Sequence, residues 1–157
     1  MAGKPVGPKL GKRAPNFVLR DQDGNDFELA DLRGRRVLLS FHPLAFTGVC
    51  TLQMKDLERS MDRFERAGVV PVGISVDAQP SKQVWARQMG LRRLRILADF
   101  HPKGAVAKRL GLYIADKGID ARANVLLDEE GRVAWVRVYD IPERPDLKEV
   151  FAAIKRM

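Results

Sequence analysis

The chain has 157 residues, 45% hydrophobic and 31% charged, which is enough apolar material for one buried core and too much for a disordered segment. No stretch approaches the roughly 20 apolar residues of a membrane-spanning helix, and the basic opening MAGKPVGPKLGKRAP lacks the apolar run of a secretory signal, so neither is expected. The 28 Lys+Arg against 20 Asp+Glu give a net charge of +8, yet the clusters Lys4/Lys9/Lys12/Arg13, Arg33/Arg35/Arg36 and Arg92/Arg93/Arg95 carry no interleaved aromatics to stack bases, which argues against nucleic-acid binding.

A single cysteine, Cys50, excludes an intramolecular disulfide and makes a reduced, cytoplasmic setting the expectation. Residues 1–13, rich in Gly, Pro and Lys, read as a basic, flexible N-terminal segment ahead of one domain over 14–157. Phe17-Val18-Leu19 and Phe27-Glu28-Leu29 flank an Asp-Gly turn and read as an N-terminal hairpin. Arg36 to Phe41 is a short, nearly continuous apolar run, the pattern of a strand buried on both faces.

From about Cys50 to Ala67 the period becomes helical, with Leu57, Met61 and Phe64 on one face and Gly68 at the end. Val69 to Val76 is a second buried strand. Pro80 and Ser81 open a helix closed by Gly90, Leu94 to Leu97 is a third strand, and Lys103 to Leu110 a short helix. Asn124–Leu127 and Arg132–Tyr139, joined across Asp128-Glu129-Glu130-Gly131, form a second hairpin, and a helix over about 146–155 closes the chain. This order describes an α/β fold with a mixed central sheet flanked by helices, and it fits a thioredoxin-like fold.

Cys50 stands where an apolar strand has ended and a helix begins. Unpaired backbone N–H groups and the positive end of the helix dipole favour a thiolate there, while a buried structural cysteine is the competing reading. The preceding residues decide between them. In Phe41-His42-Pro43-Leu44-Ala45-Phe46-Thr47-Gly48-Val49-Cys50, Pro43, Thr47 and Cys50 match the signature P-x-x-x-T-x-x-C. The segment resembles the active-site loop of peroxiredoxins, the thiol-dependent peroxidases of the AhpC/TSA family. The likeness runs from Ala14-Pro15-Asn16-Phe17 to the C-terminal helix. Trp85-Ala86-Arg87-Gln88, Ala98–Val106 and Ala121-Arg122-Ala123-Asn124 are most similar to the single-cysteine alkyl hydroperoxide reductase E branch.

The resemblance implies reduction of hydrogen peroxide and organic hydroperoxides through a sulfenic acid on Cys50. Cleaving an O–O bond needs an ionised sulfur, fixed donors for both oxygens and exclusion of water. Backbone N–H groups of Cys50 and Val49, the Thr47 hydroxyl and the rigid ring of Pro43 are the local candidates. The missing cation is placed by resemblance at Arg122, which opens the run Arg122-Ala123-Asn124-Val125-Leu126-Leu127-Asp128. The implied partners are a peroxide, an external thiol reductant (a small thiol or a thioredoxin- or glutaredoxin-like protein) and a second copy of the chain as a homodimer.

His42 departs from the family pattern, standing where many members carry an aromatic residue. Packing is the preferred role for it and a pocket-lining polar group the alternative. No cofactor is implied, and one Cys with two His at no ligand spacing gives no reason to expect a metal. The competing functional class is a thioredoxin-fold nucleic-acid-binding or holdase-like module, motivated by the +8 charge.

Overall fold

The computed structural model describes residues 4–157. Its centre is β3 (Arg36–Phe41), whose apolar run pairs on one side with parallel β4 (Val69–Ser75) and on the other with antiparallel β8 (Arg122–Leu127). Outward from β4 lie β5 (Arg95–Ala98), β1 (Val18–Arg20) and β2 (Asp26–Glu28), and β9 (Val133–Tyr139) forms the opposite edge. The seven-stranded sheet therefore runs β2-β1-β5-β4-β3-β8-β9, mixed as expected, with the N-terminal hairpin at one edge. A separate pair, β6 (Tyr113–Ile114) and β7 (Ile119–Asp120), has strands too short for any alternating pattern to betray them.

Alternate residues of β3 face opposite layers. Leu38 points to the side packed by α1 (Gly48–Arg59), α2 (Met61–Arg66), α3 (Gln79–Met89) and α5 (Leu147–Lys155), where Met54, Leu57, Phe64, Trp85, Val150 and Ile154 are buried. Val37, Leu39 and Phe41 point the other way, to a core shared with Phe17, Phe27 and the short α4 (Ala105–Arg109). Four helices thus cover one face and one helix, with the hairpin residues, covers the other.

Most boundaries fall within a residue or two of the sequence reading, and two differences bear on the site. The helix expected from Cys50 to Ala67 is broken at Ser60, whose N–H is shared between the Asp56 and Leu57 carbonyls at 3.2 and 3.1 Å. The break redirects α2 onto β4 while keeping Leu57 and Phe64 on the buried side, so the apolar period runs through it unmarked. Strand β8 begins at Arg122 rather than Asn124, because its first residues are also buried and paired: Arg122 with Tyr139 and Ala123 with Phe41.

Residues 1–3 of the basic N-terminal segment lie outside the described residues. The remainder runs along the β9 edge: Gly11 N–H donates to the Val133 carbonyl at 2.8 Å, and Val133 N–H returns a bond to Lys12 at 2.9 Å. The strap gives this edge strand partners for groups that would otherwise be open to another chain.

Packing on the four-helix face converges on Phe64 and Phe151, whose ring centroids are 4.6 Å apart, with the Arg63 guanidinium over the Phe151 ring. Phe64→Ala, at a fully buried position, is expected to lose about 3–5 kcal/mol of stability, read as a lower urea midpoint. A loss below about 1 kcal/mol would show that α2 is not held by this contact.

Candidate active site

The site forms where β3 hands over to α1. His42 N–H still follows the sheet, donating to the Ile74 carbonyl at 3.0 Å, and Pro43 then turns the chain away and is itself buried. The Ala45 N–H is held by Asp77 Oδ2 at 2.8 Å, and the Ser75 hydroxyl donates to the same oxygen. Phe46 next adopts φ 67°, a left-handed conformation uncommon for a residue with a Cβ, and its ring lies 6.1 Å from that of Trp85.

Thr47 caps α1 through its backbone. Its carbonyl accepts from the Thr51 N–H at 2.9 Å and the Thr51 hydroxyl at 2.8 Å, while its own hydroxyl donates to the Leu44 carbonyl at 2.8 Å. That hydroxyl keeps its lone pairs free as acceptors. The N–H groups of Gly48, Val49 and Cys50, in the first turn, have no acceptor within the helix.

Cys50 is fully buried. The Arg122 Nη1 lies 3.4 Å from its Sγ and also donates to Gln53 Oε1 at 2.7 Å, while Arg122 Nε donates to the Ile141 carbonyl at 2.8 Å. Arg122 is itself only 2% exposed, so these three acceptors supply what water does elsewhere. Gln53 is fixed in turn, its Nε2 donating to Ser40 Oγ at 2.8 Å and to the Phe41 carbonyl at 3.2 Å. The β3–β8 register, Ser40 opposite Asn124 and Phe41 opposite Ala123, sets Arg122 level with the point where β3 ends.

The structure therefore brings Cys50 and Arg122 together, with Pro43 and Thr47 on the connecting loop and Val49 in the first turn. No hydrogen bond joins Thr47 to Cys50 among the described residues. His42 is fully buried, its ring 5.3 Å from that of Trp85, and His101 is exposed, away from this cluster in the strand-to-helix loop before α4. Gln53 was not singled out in sequence. Its signal was a polar residue three positions after Cys50, on the helix face that carries Met54 and Leu57 into the core.

A buried set of ionisable groups lies behind the loop. Lys82 Nζ is 3.3 Å from His42 Nε2. Burial, with the Lys82 charge next in weight, holds the His42 imidazole well below its usual range, so it is neutral. Burial lowers the Lys82 ammonium to about 8, against the opposing pull of Asp77 and Asp120.

Comparison with known proteins identifies the family. The AhpC/TSA family matches residues 10–136. Alkyl hydroperoxide reductase E of Mycobacterium tuberculosis is 35% identical over 130 residues, 82% of this chain and 84% of that one. Peroxiredoxin Bcp of Escherichia coli is 35% identical over 134 residues, again 82% and 84%. The crystal structure of reduced Plasmodium vivax 2-Cys peroxiredoxin superposes with a TM-score of 0.87 at 27% identity, over 93% of this chain and 80% of that one. No helix among the described residues is long and apolar enough to cross a membrane.

Gln53→Leu keeps the volume of the side chain and removes the acceptor under the guanidinium. Leaving a buried donor unpaired is expected to lower stability by about 1–3 kcal/mol in urea unfolding. An unchanged midpoint would mean that Arg122 does not depend on Gln53.

Proposed function

Because the chain belongs to the AhpC/TSA family and is a thiol-dependent peroxidase, an oxidoreductase of the peroxiredoxin type, we propose that Cys50 is its peroxide-reducing nucleophile and Arg122 the cation that serves it. The observation that carries this assignment is the buried contact of Arg122 Nη1 with Cys50 Sγ at 3.4 Å, at the start of a helix. Both the guanidinium and the helix N-terminus favour negative charge on the sulfur.

The reaction is a displacement. The thiolate attacks one peroxide oxygen in line with the O–O bond, a new S–O bond forms, and the other oxygen leaves with the bonding pair as alkoxide or hydroxide and takes up a proton. Sulfur is oxidised to sulfenic acid and the peroxide is reduced to an alcohol or water. The Arg122 fork and the first-turn N–H groups of Val49 and Cys50 are donors for oxygens gaining charge. The Thr47 hydroxyl has its hydrogen on Leu44, so it accepts from the O–H of the incoming hydroperoxide and orients it. Pro43, without an N–H, walls the pocket and sheds water from the sulfur.

Regeneration comes from outside the chain. With one cysteine there is no resolving partner, so two equivalents of an external thiol reduce the sulfenic acid through a mixed disulfide and release water. That thiol belongs to a small molecule or to a thioredoxin- or glutaredoxin-like protein. A Cys50–Cys50 bond between chains would need Cα atoms within about 7 Å, which two buried helix-start sulfurs do not reach without local unfolding. A homodimer in a cytoplasmic, antioxidant setting completes the reading. Light scattering is the direct check on the dimer, and a mass near that of one chain at micromolar concentration would overturn it.

Stopped-flow mixing with peroxide is expected to consume one thiol per chain, rapidly and stoichiometrically; a rate no faster than free cysteine would overturn the assignment. Arg122→Ala is expected to slow that step by about 10²-fold or more. Excess peroxide without thiol is expected to add about 16, then 32 and 48 Da on Cys50 alone, the oxygen count of the cysteine oxidation ladder. A covalent dimer as the main product, with no over-oxidised monomer, would contradict resolution by an external thiol.

A further inference from the structure

We propose that Lys82 is a second cation of this site, a buried positioning residue behind the active-site loop whose charge favours the Cys50 thiolate across His42 and vanishes when the lysine gives up its proton. The inference rests on the reading of Cys50 as nucleophile.

Lysine is among the residues least often buried without a paired charge. Lys82 nevertheless has no exposed surface. It shares the inner face of α3 with Trp85 and Ala86, while Ser81, Val84 and Arg87 of the same helix are exposed, so a one-residue rotation would have given it water. Its one hydrogen-bond partner among the described residues is His42 Nε2 at 3.3 Å, and its Nζ stands 5.9 Å from the Trp85 ring centroid. An ammonium only donates, so Nε2 accepts and the single imidazole proton is assigned to Nδ1.

The surrounding charges leave that ammonium facing the loop. Asp120, on β7, has neither side-chain oxygen hydrogen-bonded among the described residues, and burial followed by the nearby Asp99 pushes its carboxyl well above the usual range, which weakens it as a counter-charge to Lys82. Burial likewise raises Asp99, whose oxygens accept the N–H groups of Val106 and Ala107. Asp77, from the end of β4, spends one oxygen on Ser75 and on the Ala45 N–H of the active-site loop. The Lys103 charge acts on Asp120, and the Arg122 charge acts on His42 together with that of Lys82. After Asp77 and Asp120, the next negative charge in the field of Lys82 is that of Cys50 on α1, and it too favours the ammonium. The effect is reciprocal, so the ammonium favours the thiolate by the same amount.

The hydrogen bonds tie the same residues to the loop mechanically. His42 is the loop's first residue. Trp85 Nε1 donates to Thr51 Oγ1 at 3.2 Å, and that hydroxyl donates to the Thr47 carbonyl that caps α1. Helix α3 thus reaches both ends of the segment that presents the sulfur, through Lys82 at His42 and through Trp85 at Thr51. Its charge is present at neutral pH and lost above about 8.

Lys82→Met keeps an unbranched stem and removes the charge. The test is the pH profile of Cys50 oxidation by peroxide below one equivalent, with folding checked by thermal denaturation. The acid limb is expected to move up by about one pH unit, a loss of about tenfold in rate on that side, as for removal of a nearby opposite charge. A folded Lys82→Met with a profile superimposed on wild type overturns the proposal, since a merely structural lysine would leave the limb in place. If the variant does not fold, the reciprocal measurement decides. In carbon-13 NMR the Lys82 titration is expected to fall to lower pH in Cys50→Ser than in reduced wild type, and equal midpoints overturn the proposal. Wild type that leaves peroxide unconsumed overturns the nucleophile reading instead, because the lysine titration needs no peroxide.

Discussion

The placement of a guanidinium inside the protein governs the rest of this site. A permanently charged group in the core must have its donors met, because stranding even one costs on the order of 1–3 kcal/mol. In Arg122 the Nε and Nη1 donors are met by three acceptors of different kinds: a main-chain carbonyl at Ile141, a side-chain amide at Gln53 and the sulfur of Cys50. Two of these acceptors stand on helix α1 and one in the turn after β9, while the arginine itself stands on strand β8, so it is correctly held only when all three are in place. The sulfur is the acceptor that gains most from the contact, since it alone among the three can ionise.

That demand explains features which in isolation look unrelated. Gln53 is buried, and it survives there because Ser40 and Phe41 take its amide hydrogens. Ser40 is a hydroxyl in the central strand, and it lies there as the acceptor for Gln53. Close approach of α1 to the sheet needs room beneath it, which Gly73 provides: a Cβ there would stand 2.4 Å from Met54 Sδ and 3.3 Å from His42. The left-handed Phe46 is tolerated between Ala45, pinned by Asp77, and Thr47, pinned by the first turn of α1. Strain at one residue is kept by bonds on both sides of it.

The sequence revealed these features unequally. The buried strands and the Cys50 loop were legible because apolar runs and a spaced Pro, Thr and Cys are local patterns. Arg122 had no local signal of that kind: its strand was expected to begin two residues later, so an arginine on a wholly buried strand looked like loop. Gln53 was hidden for the opposite reason, as an ordinary helix former at an ordinary helical position. The charge clusters were ambiguous in sequence, and the structure pairs part of that charge with neighbouring carboxylates. Arg93 bridges Asp62 and Glu65, and Arg95 pairs with the buried Asp21. Arg92 and Arg93 both offer their N–H groups to Glu58. Basic residues spent on neighbouring carboxylates and on a strand entrance do not make a continuous surface for a polyanion.

The two buried cations differ in a way that suits their positions. Arginine cannot lose its proton in any accessible pH range, so the group in direct contact with the sulfur presents the same charge throughout. Lysine can, and burial brings Lys82 down to about 8, within reach of neutral pH. A titratable cation in direct contact would make the sulfur's immediate surroundings vary with pH. One placed behind a neutral imidazole changes only the background field. The neutral state of His42 belongs to this arrangement, since a third positive charge in the field of Lys82 and Arg122 would be repelled by both. Burial and the two neighbouring cations all push the imidazole towards losing its proton. The aromatic-sized slot beside Trp85 is thereby filled by a ring that packs as an aromatic does and still offers an acceptor to the lysine behind it.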